Sequence, residues 1–104
     1  MPKTPEGKFQ EQVIKYLKSL PNCWYVKVWG GGYQKSGIPD IIALINGKFV
    51  GIEVKAPNGR PSELQKRNIR LINKCGGYGV ILYPKDFEEF KREVEKLYVD
   101  SYTK

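Results

Sequence analysis

Three side chains in the middle of this chain have the types and spacing for metal-assisted chemistry on a phosphate: Asp40, Glu53 and Lys55. Asp40 follows Pro39, and the other two lie two residues apart beyond a short turn at Asn46-Gly47. Asn-Gly between apolar runs signals a two-residue hairpin with a type I′ turn. Pairing Ile45 with Lys48 across that turn puts Asp40 directly opposite Glu53. Opposed side chains stand roughly 4.5 to 5.5 Å apart at Cβ, and strand alternation brings Lys55 to the same face. Two facing carboxylates in a mostly apolar setting repel each other unless a cation lies between them. Their hard oxygens suit Mg²⁺ or Mn²⁺. The Lys55 ammonium is placed to position or help deprotonate a water, or to stabilise charge growing on a phosphate. The bland alternative is a salt-bridged strand end, with Lys55 neutralising Glu53 and Asp40 capping the turn after Pro39.

The chain has no histidine, which excludes imidazole bases and His-ligated zinc. Hydrolytic chemistry must then come from carboxylates, Lys, Tyr or a metal. Cys23 and Cys75 are too few for a disulfide framework and lack metal-site spacing, so both read as reduced, buried residues. Eighteen Lys and Arg against eleven Asp and Glu give a net charge of +7, which favours a polyanionic partner. The first residues lead straight into a charged helical pattern, and no apolar run reaches the length of a membrane span. The expectation is a single domain over 1–104, located in the cytoplasm.

Thr4 and Pro5 read as an N-cap and first helical residue, with Phe9, Val13, Tyr16, Leu17 and Leu20 at helical spacing and Pro21-Asn22 as the stop. Glu6 falls on the side of Val13 and Leu17, whereas Glu11 points away. The ordinary role of Glu6 is a first-turn acid favoured by the helix dipole. Residues 24–29 predict a strand. The glycine-rich stretch 30–37, which contains Lys35, lacks the spacing and the following helix of a phosphate-binding loop. In the hairpin, Ile41, Ala43, Ile45, Val50, Ile52 and Val54 form one apolar face. Ile42, Leu44 and Phe49 lie on the face of the acids, which predicts a central hairpin with helices on both sides.

Ser62-Glu63-Leu64-Gln65 is a capping box opening a helix through Cys75, with Leu64, Leu71, Ile72 and Cys75 as its expected buried stripe. Lys66, Arg67, Arg70 and Lys74 occupy much of the remainder, and Arg60 sits in the preceding loop; these are phosphate-contact candidates or simply a solvated face. Residues 78–83 predict a last strand. Asp86 then opens a helix whose stripe is Phe87, Phe90, Val94 and Leu97, with a frayed tail from residue 98. The order α-β-β-β-α-β-α, with the Gln65 helix as crossover, predicts an α/β fold with a mixed four-stranded sheet flanked by helices, its last strand parallel to that of Glu53.

Pro39-Asp40 followed by Glu53-Val54-Lys55 resembles the signature of the PD-(D/E)xK nuclease superfamily. With Gly37-Ile38 before it, the short hairpin, and Gln65 downstream, it is similar to the VRR-NUC family, the virus-type replication and repair nucleases. The resemblance spans roughly residues 6–83 and implies a restriction-endonuclease-like core. It also implies a metal held by Asp40, Glu53 and the Val54 carbonyl, with Lys55 beside the nucleophilic water. Glu6 sits where the family carries a helix-one glutamate, and Gln65 where it carries a glutamine that competes with the capping reading. Through that resemblance the expected function is a Mg²⁺- or Mn²⁺-dependent DNA endonuclease, virus- or phage-encoded or otherwise intracellular. It would select branched DNA such as four-way (Holliday) junctions and act as a homodimer, since two-fold symmetry puts two centres on two strands. The DNA-contact candidates are Lys35, Arg60, Lys66, Arg67 and Arg70. The alternatives are a non-catalytic DNA-binding module of the same fold, or a flap or restriction-type nuclease.

Overall fold

The side chain of Thr4 accepts from the Gly7 N–H at 3.0 Å, and with Pro5 in the first turn it starts α1, Pro5–Lys18. In a computed structural model, which describes residues 4–28 and 37–102, β1 (Cys23–Lys27), β2 (Ile41–Ile45) and β3 (Lys48–Val54) follow. After them come α2 (Glu63–Lys74), β4 (Tyr78–Leu82), a 3-10 turn (Pro84–Asp86) and α3 (Phe87–Tyr102). The predicted order therefore holds, with the first strand starting one residue earlier and ending at Lys27, and α3 continuing through the expected frayed tail as far as Tyr102. Among the described residues no helix is long and apolar enough to cross a membrane.

The sheet runs β1-β2-β3-β4, antiparallel except for the parallel pair β3 and β4. Asn46 and Gly47 adopt φ of 49° and 89°, the positive values that a type I′ turn needs, and Ile45 pairs with Lys48 as the turn chemistry demands. One face carries Ile41, Ala43, Ile45, Val50, Ile52, Val54 and Leu82. Phe9, Val13 and Leu17 of α1 and Phe90 and Val94 of α3 close over it, completing the core.

The opposite face is only half covered. α2 lies over β3 and β4, so close that a Cβ at Gly51 would come within 2.8 Å of Ile72 Cδ1 and one at Gly79 within 2.9 Å of Ile69 O. Over β1 and β2 no helix among the described residues is packed, and Trp24 and Leu44, paired across the strands, are 62% and 47% exposed, with Phe49 beyond them at 43%. The expectation of helices on both sides thus holds for one half of the sheet.

The packed side of α2 differs from the predicted stripe. Ile69 is buried and Ile72 half-buried, while Leu64, Leu71 and Cys75 are exposed. Three polar residues account for this rotation of roughly a quarter turn. Asn73 exchanges hydrogen bonds with both the N–H and the C=O of Gly79, each at 2.9 Å. The Asn68 amide donates to Gly37 O at 2.8 Å, and Gln65 faces Glu53. Gln65 and Asn68 are half-buried with partners where hydropathy places them at the surface, and Asn73, though exposed, ties the end of the helix to β4. Cys23 is half-buried, and both cysteines are free thiols.

Candidate active site

The hairpin register carries Asp40 and Glu53 to facing positions one residue beyond the pair Ile41–Ile52. Asp40 is held from two sides. Its carbonyl accepts from the Val28 N–H at 2.8 Å, and its Oδ2 accepts from the Val54 N–H at 2.9 Å. Gly37, at the start of Gly37-Ile38-Pro39-Asp40, has φ of 88°, and a Cβ there would meet Leu64 Cβ and Asn68 Nδ2 at 2.9 Å. Only glycine lets α2 press this closely on the segment leading to Asp40.

Glu53 is 2% exposed. Its Oε2 accepts from Gln65 Nε2 at 2.7 Å and lies 3.4 Å from the Lys55 ammonium, itself 11% exposed. Its Oε1 is buried and receives no donor from the described residues. Burial, and then the Asp40 charge, push Glu53 up to about 7, against the opposing pull of Lys55. Burial also raises Asp40, opposed by the Val54 N–H, Lys55, the neighbouring Glu53 carboxyl and the charge of Lys27. Most buried carboxylate oxygens in a strand end built only for structure have a donor. Two raised acids, one with an orphaned oxygen, form a hard-oxygen set short of a cation, and these residues fit a divalent metal.

Gln65 both caps α2 and contacts Glu53. Its Oε1 accepts from the Ser62 N–H at 2.8 Å while Ser62 Oγ accepts from the Gln65 N–H at 3.1 Å, and its Nε2 remains for Glu53. Glu6 stands half-buried in the first turn of α1. Among the described residues no group of three or more acids and thiols is placed to hold a metal, so the structure brings Asp40 and Glu53 together as a pair without Glu6. Arg60, Arg67 and Arg70 are exposed, and Lys66 reaches Glu63 at 3.1 Å. Lys35 lies outside the described residues. Periodicity had no means of finding Asn68, Lys27 or Tyr83. Their positions near the site follow from long-range contacts, although the dipeptide Asn68-Ile69 inside a basic helix is a polar residue beside its one buried neighbour.

A mixed sheet that presents two facing acids and a lysine at one strand end has the form of a nuclease core. The model of the VRR-NUC domain matches residues 31–83, just over half of the chain, and this protein belongs to that family of nucleases. The match begins after α1, so it covers Asp40, Glu53, Lys55 and Gln65 but leaves Glu6 outside. A phage protein named "Putative nuclease p44", from Acyrthosiphon pisum secondary endosymbiont phage 1, is 27% identical over 82 residues, which cover 78% of this chain and 85% of that protein. No solved structure matches this chain significantly.

Proposed function

We propose that this protein is a metal-dependent endonuclease that hydrolyses DNA phosphodiester bonds inside the cell, selecting branched DNA such as four-way junctions. The observation that carries the reading is the buried, donor-less Oε1 of Glu53 opposite Asp40. Asp40, Glu53 and the Val54 carbonyl are the residues that would hold Mg²⁺ or Mn²⁺. Such an ion supplies a Lewis acid for a phosphoryl oxygen and lowers the pKa of water. The protein's own groups do the rest. Gln65 commits Oε2 of Glu53 to one direction, which leaves Oε1 for the space shared with Asp40. Lys55, on a buried stem, offers a fixed positive charge where negative charge grows on the phosphate. The exposed Arg60, Arg67 and Arg70, with Lys35 and Lys66, supply sequence-independent phosphate contacts.

The open half of the sheet supports a homodimer. Trp24, Leu44 and Phe49 form a row of exposed apolar side chains across β1, β2 and β3, and a second copy burying it would remove that surface from water. The test is to challenge purified protein with linear duplex, single-stranded, flap and four-way-junction DNA in Mg²⁺, Mn²⁺ or chelator. Preferential, metal-dependent cutting of the junction is expected. Binding without cutting in every metal would instead identify a DNA-binding module that has kept the fold.

A further inference from the structure

The segment that follows Lys55 folds back upon it. The Gly59 N–H donates to Ala56 O at 2.9 Å, closing a turn, and a Cβ at Gly59 would stand 3.3 Å from Lys55 Cδ. Tyr83, the residue after β4, donates its hydroxyl to Gly59 O at 2.9 Å, while the Lys55 N–H donates to Leu82 O at 2.9 Å. The Tyr83 ring is therefore fixed at the same end of the sheet as Lys55, two contacts away from its stem. Pro57, Pro84 and Lys85 complete with it a cavity of about 270 Å³. The Lys85 ammonium lies 5.5 Å from the centre of the ring and 3.1 Å from Asp86 Oδ1. Neither the acid pair nor the basic side of α2 uses this cavity.

We propose that this cavity receives the base of one unstacked nucleotide next to the phosphate being cut, a reading that rests on the nuclease function above. An anchored aromatic ring flanked by two prolines is a stacking surface that any base can use, and a nearby ammonium suits the polyanionic strand that carries the base. The volume lies just below the roughly 300 to 1,000 Å³ of small-molecule pockets, which fits one base and not a base pair. A base inside a continuous duplex cannot reach the cavity without leaving its stack, whereas a nucleotide at a branch point or in a single strand is released at little cost. Selection of branched over linear DNA would then arise beside the active centre, with no separate recognition domain.

The test scans abasic nucleotides through the strand on either side of the cleavage site, using the wild-type protein with Mg²⁺. Cutting is expected to slow about tenfold or more at one flanking position and little elsewhere, the size of one lost stacking contact. In parallel, 2-aminopurine is placed at each of those positions and its fluorescence read with the protein bound in EDTA. A change confined to the same position is expected; it is lost in Tyr83→Ala and kept in Tyr83→Phe, which retains the ring. Uniform cutting at every abasic position, or a fluorescence change spread evenly along the strand, overturns the proposal. Because the fluorescence measurement needs no cleavage, a protein that cuts nothing would sink the nuclease reading, while the 2-aminopurine scan would still confirm or overturn the docking of the base.

Discussion

The Gln65 amide donates to Glu53 Oε2 at 2.7 Å while its own carbonyl oxygen caps α2 at the Ser62 N–H. One side chain thus links the start of the basic helix to the orientation of a buried acid. Changing the amide while keeping the cap separates the two roles. Gln65→Glu retains a capping-box acceptor but turns a donor to Glu53 into a second acceptor. Cleavage is expected to fall about tenfold or more with helicity by circular dichroism unchanged. Wild-type turnover in this variant would restrict Gln65 to capping.

Asp40→Asn and Glu53→Gln should each reduce cutting by about a hundredfold or more, because each removes an anionic oxygen from the proposed metal set. Affinity for DNA should be equal or higher, since a negative charge facing phosphate has gone. Single-turnover cleavage and gel-shift titrations on the same junction check both halves, and normal cutting by either variant overturns the assignment.

The raised acids make a signed prediction for stability in chelator. Glu53, ordinarily near 4.5, is pushed up to about 7, so the native state keeps a proton that the unfolded chain releases at lower pH. The contribution of Glu53 to stability is then fullest below about 4.5, falls as pH rises through about 7, and levels off above it. Urea unfolding in EDTA across this range should show the fall in wild type and a flatter profile in Glu53→Gln. Added Mg²⁺ should restore wild-type stability at pH 8, since an ion that binds only the native state stabilises it.

If the arginines of the loop and α2 contact phosphates, affinity must fall with salt, at a slope of about 0.9 per contact on duplex DNA. Replacing Arg60, Arg67 or Arg70 by alanine should each lower the slope by about one. Lys66→Ala should change it less, because that ammonium already reaches Glu63 at 3.1 Å. Slopes unchanged in all the arginine variants would place the DNA on another surface.

A homodimer through the open half of the sheet predicts that Leu44→Glu lowers the sedimentation coefficient to that of a single chain, while unfolding stability changes little because Leu44 is already exposed. Cutting of the two opposing strands of a junction should become uncoupled in that variant. A wild-type protein that sediments as a monomer with and without junction DNA removes the dimer and leaves the nuclease core untouched.

The sequence by itself determined the centre of the site. Asn46-Gly47 allows one tight turn, and two-residue alternation then leaves a single register, so Asp40 must face Glu53 and Lys55 must share their side. Those are local rules, acting over a dozen residues. The same holds for the Thr4 and Ser62 caps, whose bonds reach three residues along the chain. Only the tertiary structure decided which side of α2 packs inward, because that choice rests on Gln65, Asn68 and Asn73 finding partners 12, 31 and 6 residues away. Hydropathy counts an amide as surface regardless of whether a partner awaits it, and so it favoured Leu64, Leu71 and Cys75. The open half of the sheet, the orphaned oxygen of Glu53 and the Tyr83 clamp on the turn behind Lys55 depend likewise on contacts between elements. No spacing along one segment encodes them, since each is set by how closely separate elements approach in space.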